Sequence, residues 1–131
     1  MHYLAFIHHE NDQYGVSFPD VPGCVAVEDN LDAAIKAAGQ ALALHFEGER
    51  EADIPAARTA QEIMSDPGLA EEREGAFLVC VPFIRSSGTK RAFTLSLDTG
   101  LIKLADTVAK DRQTTRSGLV EIALREELAK G

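Results

Sequence analysis

"RAFTLSLDTGLIKLAD" (residues 91–106) decides how this 131-residue chain is built. Phe93, Leu95 and Leu97 alternate with Thr94 and Ser96, the period of a strand with one buried face. Beyond Leu97 the pattern turns helical over 99–111, with Leu101, Leu104, Ala105 and Val108 sharing a face and Asp98 placed to cap it. A turn at Arg112, Gln113 and Thr114 leads to a second helix over 116–129, capped by Thr115. Leu119, Ile122, Ala123 and Leu128 are read as its apolar face, with Leu124 flanking. No second strand is available nearby. One strand and two helices, about forty residues, are too few to build a core alone. The lone strand also exposes a row of unpaired backbone donors and acceptors. Both deficits vanish if a second copy supplies an antiparallel strand. The spacing predicts a dimer whose core holds Phe93, Leu95, Leu97, Leu119 and Ile122.

Upstream, "RSSGTK" (85–90) has the composition of a short flexible hinge, dividing a first domain (1–84) from a second (91–131). The first domain reads as α+β. "HYLAFIHH" (2–9) and "YGVSFP" (14–19) are strands around "ENDQ", whose Asn and Asp suit a tight turn. "PDVPG" breaks the ladder, Gly23 supplying a backbone angle that other residues resist. "CVAVE" (24–28) is a third strand. From Asn30, an N-cap, Leu31, Ala34, Ile35, Ala38, Leu42, His45 and Phe46 fall on one helical face. His45 is read there as a partly buried, hydrogen-bonded histidine. "ARTAQEIMSDPGLAEE" reads as a partly helical connector stopped at Pro67 and Gly68. "GAFLVCVPF" (75–83) is apolar nearly throughout, which predicts a central strand. The layer is β-β-β-α-β.

Charge divides the chain at the same place. Residues 1–89 carry five Lys/Arg against fifteen Asp/Glu; residues 90–131 carry eight against six. Opposite signs suggest two partners of opposite charge. No apolar run is long enough to span a membrane, and the N-terminus lacks a signal-peptide pattern. The expectation is a cytoplasmic protein without a membrane partner, whose Cys24 and Cys80 are buried free thiols.

The strand–helix–helix tail resembles a ribbon-helix-helix DNA-binding domain. The resemblance implies that Phe93, Leu95 and Leu97 face the dimer core while Lys90, Arg91, Ala92, Thr94 and Ser96 are offered to DNA in the major groove. It also implies that Thr115, Arg116 and Ser117, at the start of the second helix, clamp a phosphate. Ala92, Thr94 and Ser96 are shorter than the family's usual ribbon side chains, so discrimination would rest partly on Lys90, Arg91 and DNA shape.

The first domain is similar to the HicB antitoxin family, on an ordered set of motifs: Gly15-Val16-Ser17-Phe18, Pro19-Asp20-Val21-Pro22-Gly23-Cys24, and the Ala-rich helix from Leu31 to Phe46. Glu28-Asp29-Asn30 keeps the family's cap but lacks its glycine. The resemblance implies a partial ribonuclease-H-like sheet. It implies an antitoxin that neutralises a HicA-type toxin, a small basic ribonuclease, and represses its own operon through operator DNA, as a dimer or a tetramer. An acidic domain suits a basic partner; Glu10, Asp12, Asp20, Glu28 and Asp29 are the candidate toxin contacts. Asp20 also has a purely local reading, bonding backbone amides to fix its turn. The alternative function is a stand-alone ribbon-helix-helix regulator whose first domain oligomerises or senses a ligand.

Neither catalysis nor a metal or other cofactor is expected. The strands carry apolar residues where a metal-dependent nuclease needs convergent carboxylates, and no nucleophile–base–orienter set can be named. His8 and His9, adjacent on a strand, point to opposite faces and cannot share a zinc ion.

Overall fold

The computed structural model describes residues 1–130. The chain divides into two compact units, Met1–Gly88 and a second beginning at Thr89.

In the first unit, β1 (His2–Glu10), β2 (Gln13–Ser17), β3 (Val25–Glu28) and β4 (Ala76–Pro82) form one antiparallel sheet of order β3-β2-β1-β4. The β1–β2 loop is only Asn11 and Asp12, with φ of 52° and 60°. Both are left-handed, as a two-residue turn matched to strand twist requires, and Asn and Asp tolerate that region. Gly23, at φ 88°, takes the angle expected of it in the PDVPG loop.

Strand alternation sends two apolar sets to opposite faces of the sheet. Tyr3, Ala5, Ile7, Val16 and Val81 join Ala34, Ala38, Leu42 and Phe46 of α1 (Leu31–His45) in the main core. Phe6 on the other face packs with Ile63 of α2 (Ala60–Ser65) and Leu69, just before α3 (Ala70–Arg73), with Leu4, Ala76 and Leu78 around them. Asn30 caps α1 as expected, its Oδ1 accepting from Ala33 N at 2.8 Å.

Three expectations are corrected here. β4 lies at the sheet edge and β1 next to it inside; β4 is apolar because helices cover both faces at that end, not because strands flank it. Cys24 is buried, whereas Cys80 is exposed. His45 is exposed too, resting edge-on against Phe46 at the end of α1.

Gly39 shows how closely α1 approaches the sheet, since a methyl group there would lie 2.8 Å from the Pro82 carbonyl oxygen. Gly39→Ala should therefore destabilise the unit although alanine favours helix by about 1 kcal/mol. Displacing α1 from β4 costs about 1–3 kcal/mol, and a lowered melting temperature in thermal unfolding is the expected readout.

The second unit contains α4 (Thr99–Asp111) and α5 (Arg116–Ala129). Asp98 Oδ2 accepts from Leu101 N at 2.9 Å and Thr115 Oγ1 from Gly118 N at 3.0 Å, so both expected caps form. Residues 92–97 form no strand in the single chain; among the described residues the second unit supplies no other strand for them to pair with. Phe93, Leu95 and Leu97 are 72%, 63% and 46% exposed.

The helix faces also differ from expectation. On α4 the inward side is Ile102, Ala105, Val108 and the buried Ala109, while Leu101 and Leu104 stand exposed. On α5, Leu128 lies about half a turn round from Leu119 at 3.6 residues per turn, so the two cannot share a face. Ile122, Leu124 and Leu128 are all exposed. Of the segment read as a hinge, Ser86 accepts a hydrogen bond from Gly48 N at 3.5 Å, and Gly88 closes the first unit.

Candidate functional site

The sheet register sorts the acidic candidates of the first unit. Glu10 pairs with Gln13 and Tyr14 with Glu28, while Asp12 tips the hairpin and Asp29 follows β3. Glu10, Asp12, Glu28 and Asp29 therefore collect at one end of the sheet, all exposed. Between them the His9 and Tyr14 rings stack with centroids 4.1 Å apart and planes 1° from parallel. This gives the acidic end a flat, ordered feature, suited to receive a guanidinium or a base-like ring. The stack went unseen in the sequence because only the register brings positions 9 and 14 together.

Asp20 belongs elsewhere. It lies in the loop between β2 and β3, at the opposite end of the sheet, and its side chain is 6% exposed. Arg58 donates to it twice, from its backbone N to Oδ2 at 2.8 Å and from Nε to Oδ1 at 2.6 Å. Arg58 Nη1 donates to Asp66 Oδ2 at 2.8 Å, and Asp66 Oδ1 accepts from Gly68 N at 2.8 Å. Arg73 Nη1 completes the run, donating to the carbonyls of Ile63 and Asp66.

With both oxygens engaged, Asp20 ties its loop to the connector 38 residues away. That corrects both readings of it: it is neither an open acid facing a partner nor a purely local turn-former. The Arg58 guanidinium first, and then the Gly68 amide, hold the Asp66 carboxyl below the usual carboxylate range. The segment leading to Arg58 is braced by the Tyr3 hydroxyl, which donates to the Pro55 carbonyl; burial, with Asp20 adding to it, pushes the Tyr3 phenol up.

Sequence reasoning missed Arg58 and Asp66. No local signal pointed to them, since Arg58 lies 38 residues from Asp20 in the chain.

In the second unit, Lys90, Arg91, Ala92, Thr94, Ser96, Thr115, Arg116 and Ser117 are all exposed. Arg91 lies over the Phe93 ring, 4.8 Å from its centroid. Lys90 Nζ is 3.1 Å from Glu121 Oε2. Arg116 forms a two-pronged bond to Asp106 across the α4–α5 turn, Nε to Oδ1 at 2.8 Å and Nη2 to Oδ2 at 2.7 Å. In the free chain the Arg116 fork already holds a carboxylate, which a phosphate at the start of α5 would have to displace or share. Arg116 keeps Asp106 below the usual range, and Lys90 with Arg125 does the same to Glu121.

Among the described residues, no group of three or more His, Cys, Asp or Glu could hold a metal ion. Nor, among the described residues, is any helix long and apolar enough to cross a membrane.

Comparison with known proteins converges on one family. The chain is 25% identical to the Burkholderia pseudomallei antitoxin HicB, whose crystal structure it matches with a TM-score of 0.54 over 100% of this chain and 98% of that one. It is 27% identical to a chain of the HicA3 and HicB3 toxin-antitoxin complex, with a TM-score of 0.51 over 64% of this chain and 99% of that one. A curated relative from Haemophilus phage HP1 (strain HP1c1), an uncharacterized 14.9 kDa protein of the rep-hol intergenic region, is 36% identical over 69 residues. That match covers 51% of this chain and 52% of the relative, so the chain spans about half the length of the curated protein it matches. The family profile of the HicB_like antitoxin of bacterial toxin-antitoxin systems aligns with residues 3–123. Sheet, helices and alignment agree: the chain belongs to the HicB-like antitoxin family.

Proposed function

We propose that this protein neutralises a HicA-type toxin through its acidic first unit, and that its second unit pairs with a second copy to bind operator DNA. The observation that carries the reading is the uncovered apolar surface of the second unit. Phe93, Leu95, Leu97, Leu101, Leu104, Ile122, Leu124 and Leu128 are all exposed on one small pair of helices and its leading segment. Water-facing apolar surface on that scale marks an association site. An antiparallel partner strand at residues 92–97 would satisfy its backbone and bury its alternate side chains in one step.

The toxin half of the proposal is supported by charge and by likeness. Ten net negative charges on the first unit favour encounter with a cationic protein, and the solved relatives include a toxin-antitoxin complex. Glu10, Asp12, Glu28 and Asp29 are the proposed contacts, with the His9–Tyr14 stack between them.

Two experiments test the halves separately. A chain ending at Gly88 should still bind and silence a cognate HicA-type toxin; loss of that binding would place the second unit in the inhibitory contact. Changing Glu10, Asp12, Glu28 and Asp29 together to Lys should weaken toxin capture by about tenfold or more in titration calorimetry, since like charges across an interface cost several kcal/mol. An unchanged affinity would move the interface away from this end of the sheet.

A further inference from the structure

We infer that Asp106 and Glu121 compete with DNA phosphates for the protein's own cations, and so set how tightly the second unit holds any duplex. This rests on the DNA-binding reading above and adds to it which residues restrain the binding.

Asp106 and Glu121 between them hold three of the unit's cations. Arg116 is forked onto Asp106 at 2.8 and 2.7 Å, Lys90 reaches Glu121 at 3.1 Å, and Arg125 Nη2 reaches Glu121 at 3.4 Å. The Arg116–Asp106 pair has the geometry that matters. Two parallel N–H···O bonds to one carboxylate are the arrangement a guanidinium also uses on a phosphate. A phosphate arriving at the start of α5 must therefore displace Asp106 or share Arg116 with it.

The Arg116–Asp106 and Lys90–Glu121 pairs are well exposed. The Arg116 and Asp106 side chains are 57% and 44% accessible, so solvent screens the pair and the competition is soft. The acids moderate phosphate binding without abolishing it. Neutralising both doubles the unit's net charge from +2 to +4. Non-specific DNA binding, driven almost wholly by phosphate neutralisation, is where this restraint is most visible.

The test uses the full chain and a labelled random-sequence duplex at about 0.1 M salt, followed by fluorescence anisotropy. Asp106→Asn should tighten binding by about 1.5- to 5-fold, the range of an exposed ion pair expressed as a ratio of affinities. That gain should shrink by more than half in an Arg116→Ala background, because the cation being released is then absent. An equal gain in both backgrounds would overturn the proposal, since it would show only the general effect of removing a negative charge. No gain in either background would also overturn it.

Because Asp106 bridges α4 and α5, folding of the Asp106→Asn chain is checked by circular dichroism. If it unfolds, Glu121→Gln against a background carrying both Lys90→Ala and Arg125→Ala carries the same test with the same outcomes. Should neither wild type nor variants bind any duplex even at low salt, the DNA-binding reading falls and this proposal with it. Wild-type binding combined with background-independent gains removes this proposal alone.

Discussion

Leu95→Asp is expected to convert the protein to a single-chain species in sedimentation and to abolish duplex binding at the same time. Leu95 is 63% exposed in the isolated chain, between Phe93 at 72% and Leu97 at 46%. Covered by a second copy, it would sit at the middle of the shared core, where an unpaired carboxylate is very costly to desolvate. Even about 4 kcal/mol would weaken association roughly a thousandfold. Thr94→Asp is the matched control. Position 94 points to the opposite side of a strand, so it should leave self-association intact and weaken DNA binding through repulsion of phosphate. If Leu95→Asp remained paired, the apolar surface of α4 and α5 would have to associate without the 92–97 segment, and the ribbon would be wrong.

Arg58→Ala is the second large effect, and it should fall on the first unit alone. Removing the guanidinium leaves the Asp20 carboxylate, 6% exposed, without its cation and without its Nε donor. A buried charge stripped of its partner is among the more damaging changes available to a fold. It also releases the Asp66 carboxylate from Arg58, so the side-chain tie between the PDVPG loop and the end of α2 is lost, and only the backbone N of residue 58 still donates to Asp20. The melting temperature should drop by on the order of 5–10 °C, with toxin capture impaired only as far as folding is. Asp20→Asn should cost less, because the amide keeps an acceptor for Arg58 and leaves no stranded charge. Equal stability of Arg58→Ala and wild type would show the network to be ornamental.

Local signals carried most of the fold. The caps at Asn30, Asp98 and Thr115, the Asn11–Asp12 turn and the helical spacing on α1 all depend on residues within four positions of one another, and all appear as read. What failed depended on distant neighbours. β4 looked central because its composition reports that both faces are covered, but not whether strands or helices cover them. Arg58 was invisible as Asp20's partner because 38 residues separate them. The apolar face given to α5 fails because Leu119 and Leu128 lie half a turn apart, and on α4 Leu101 and Leu104 find nothing among the described residues of the single chain to cover them. Of the candidate contacts, the four acids at one sheet end emerge from β-strand register, which the sequence implies only once the strand order is known.

The scarcity of buried side chains in the second unit has a consequence for quantity. A domain completed only by its twin forms in proportion to the square of the number of chains present, and its stability rises with their concentration. Halving the supply cuts such pairs by up to about fourfold where they are scarce, while each acidic unit, folded around its own sheet, is lost only one for one. On this reading, control of the operon would respond to dilution before protection from the toxin does.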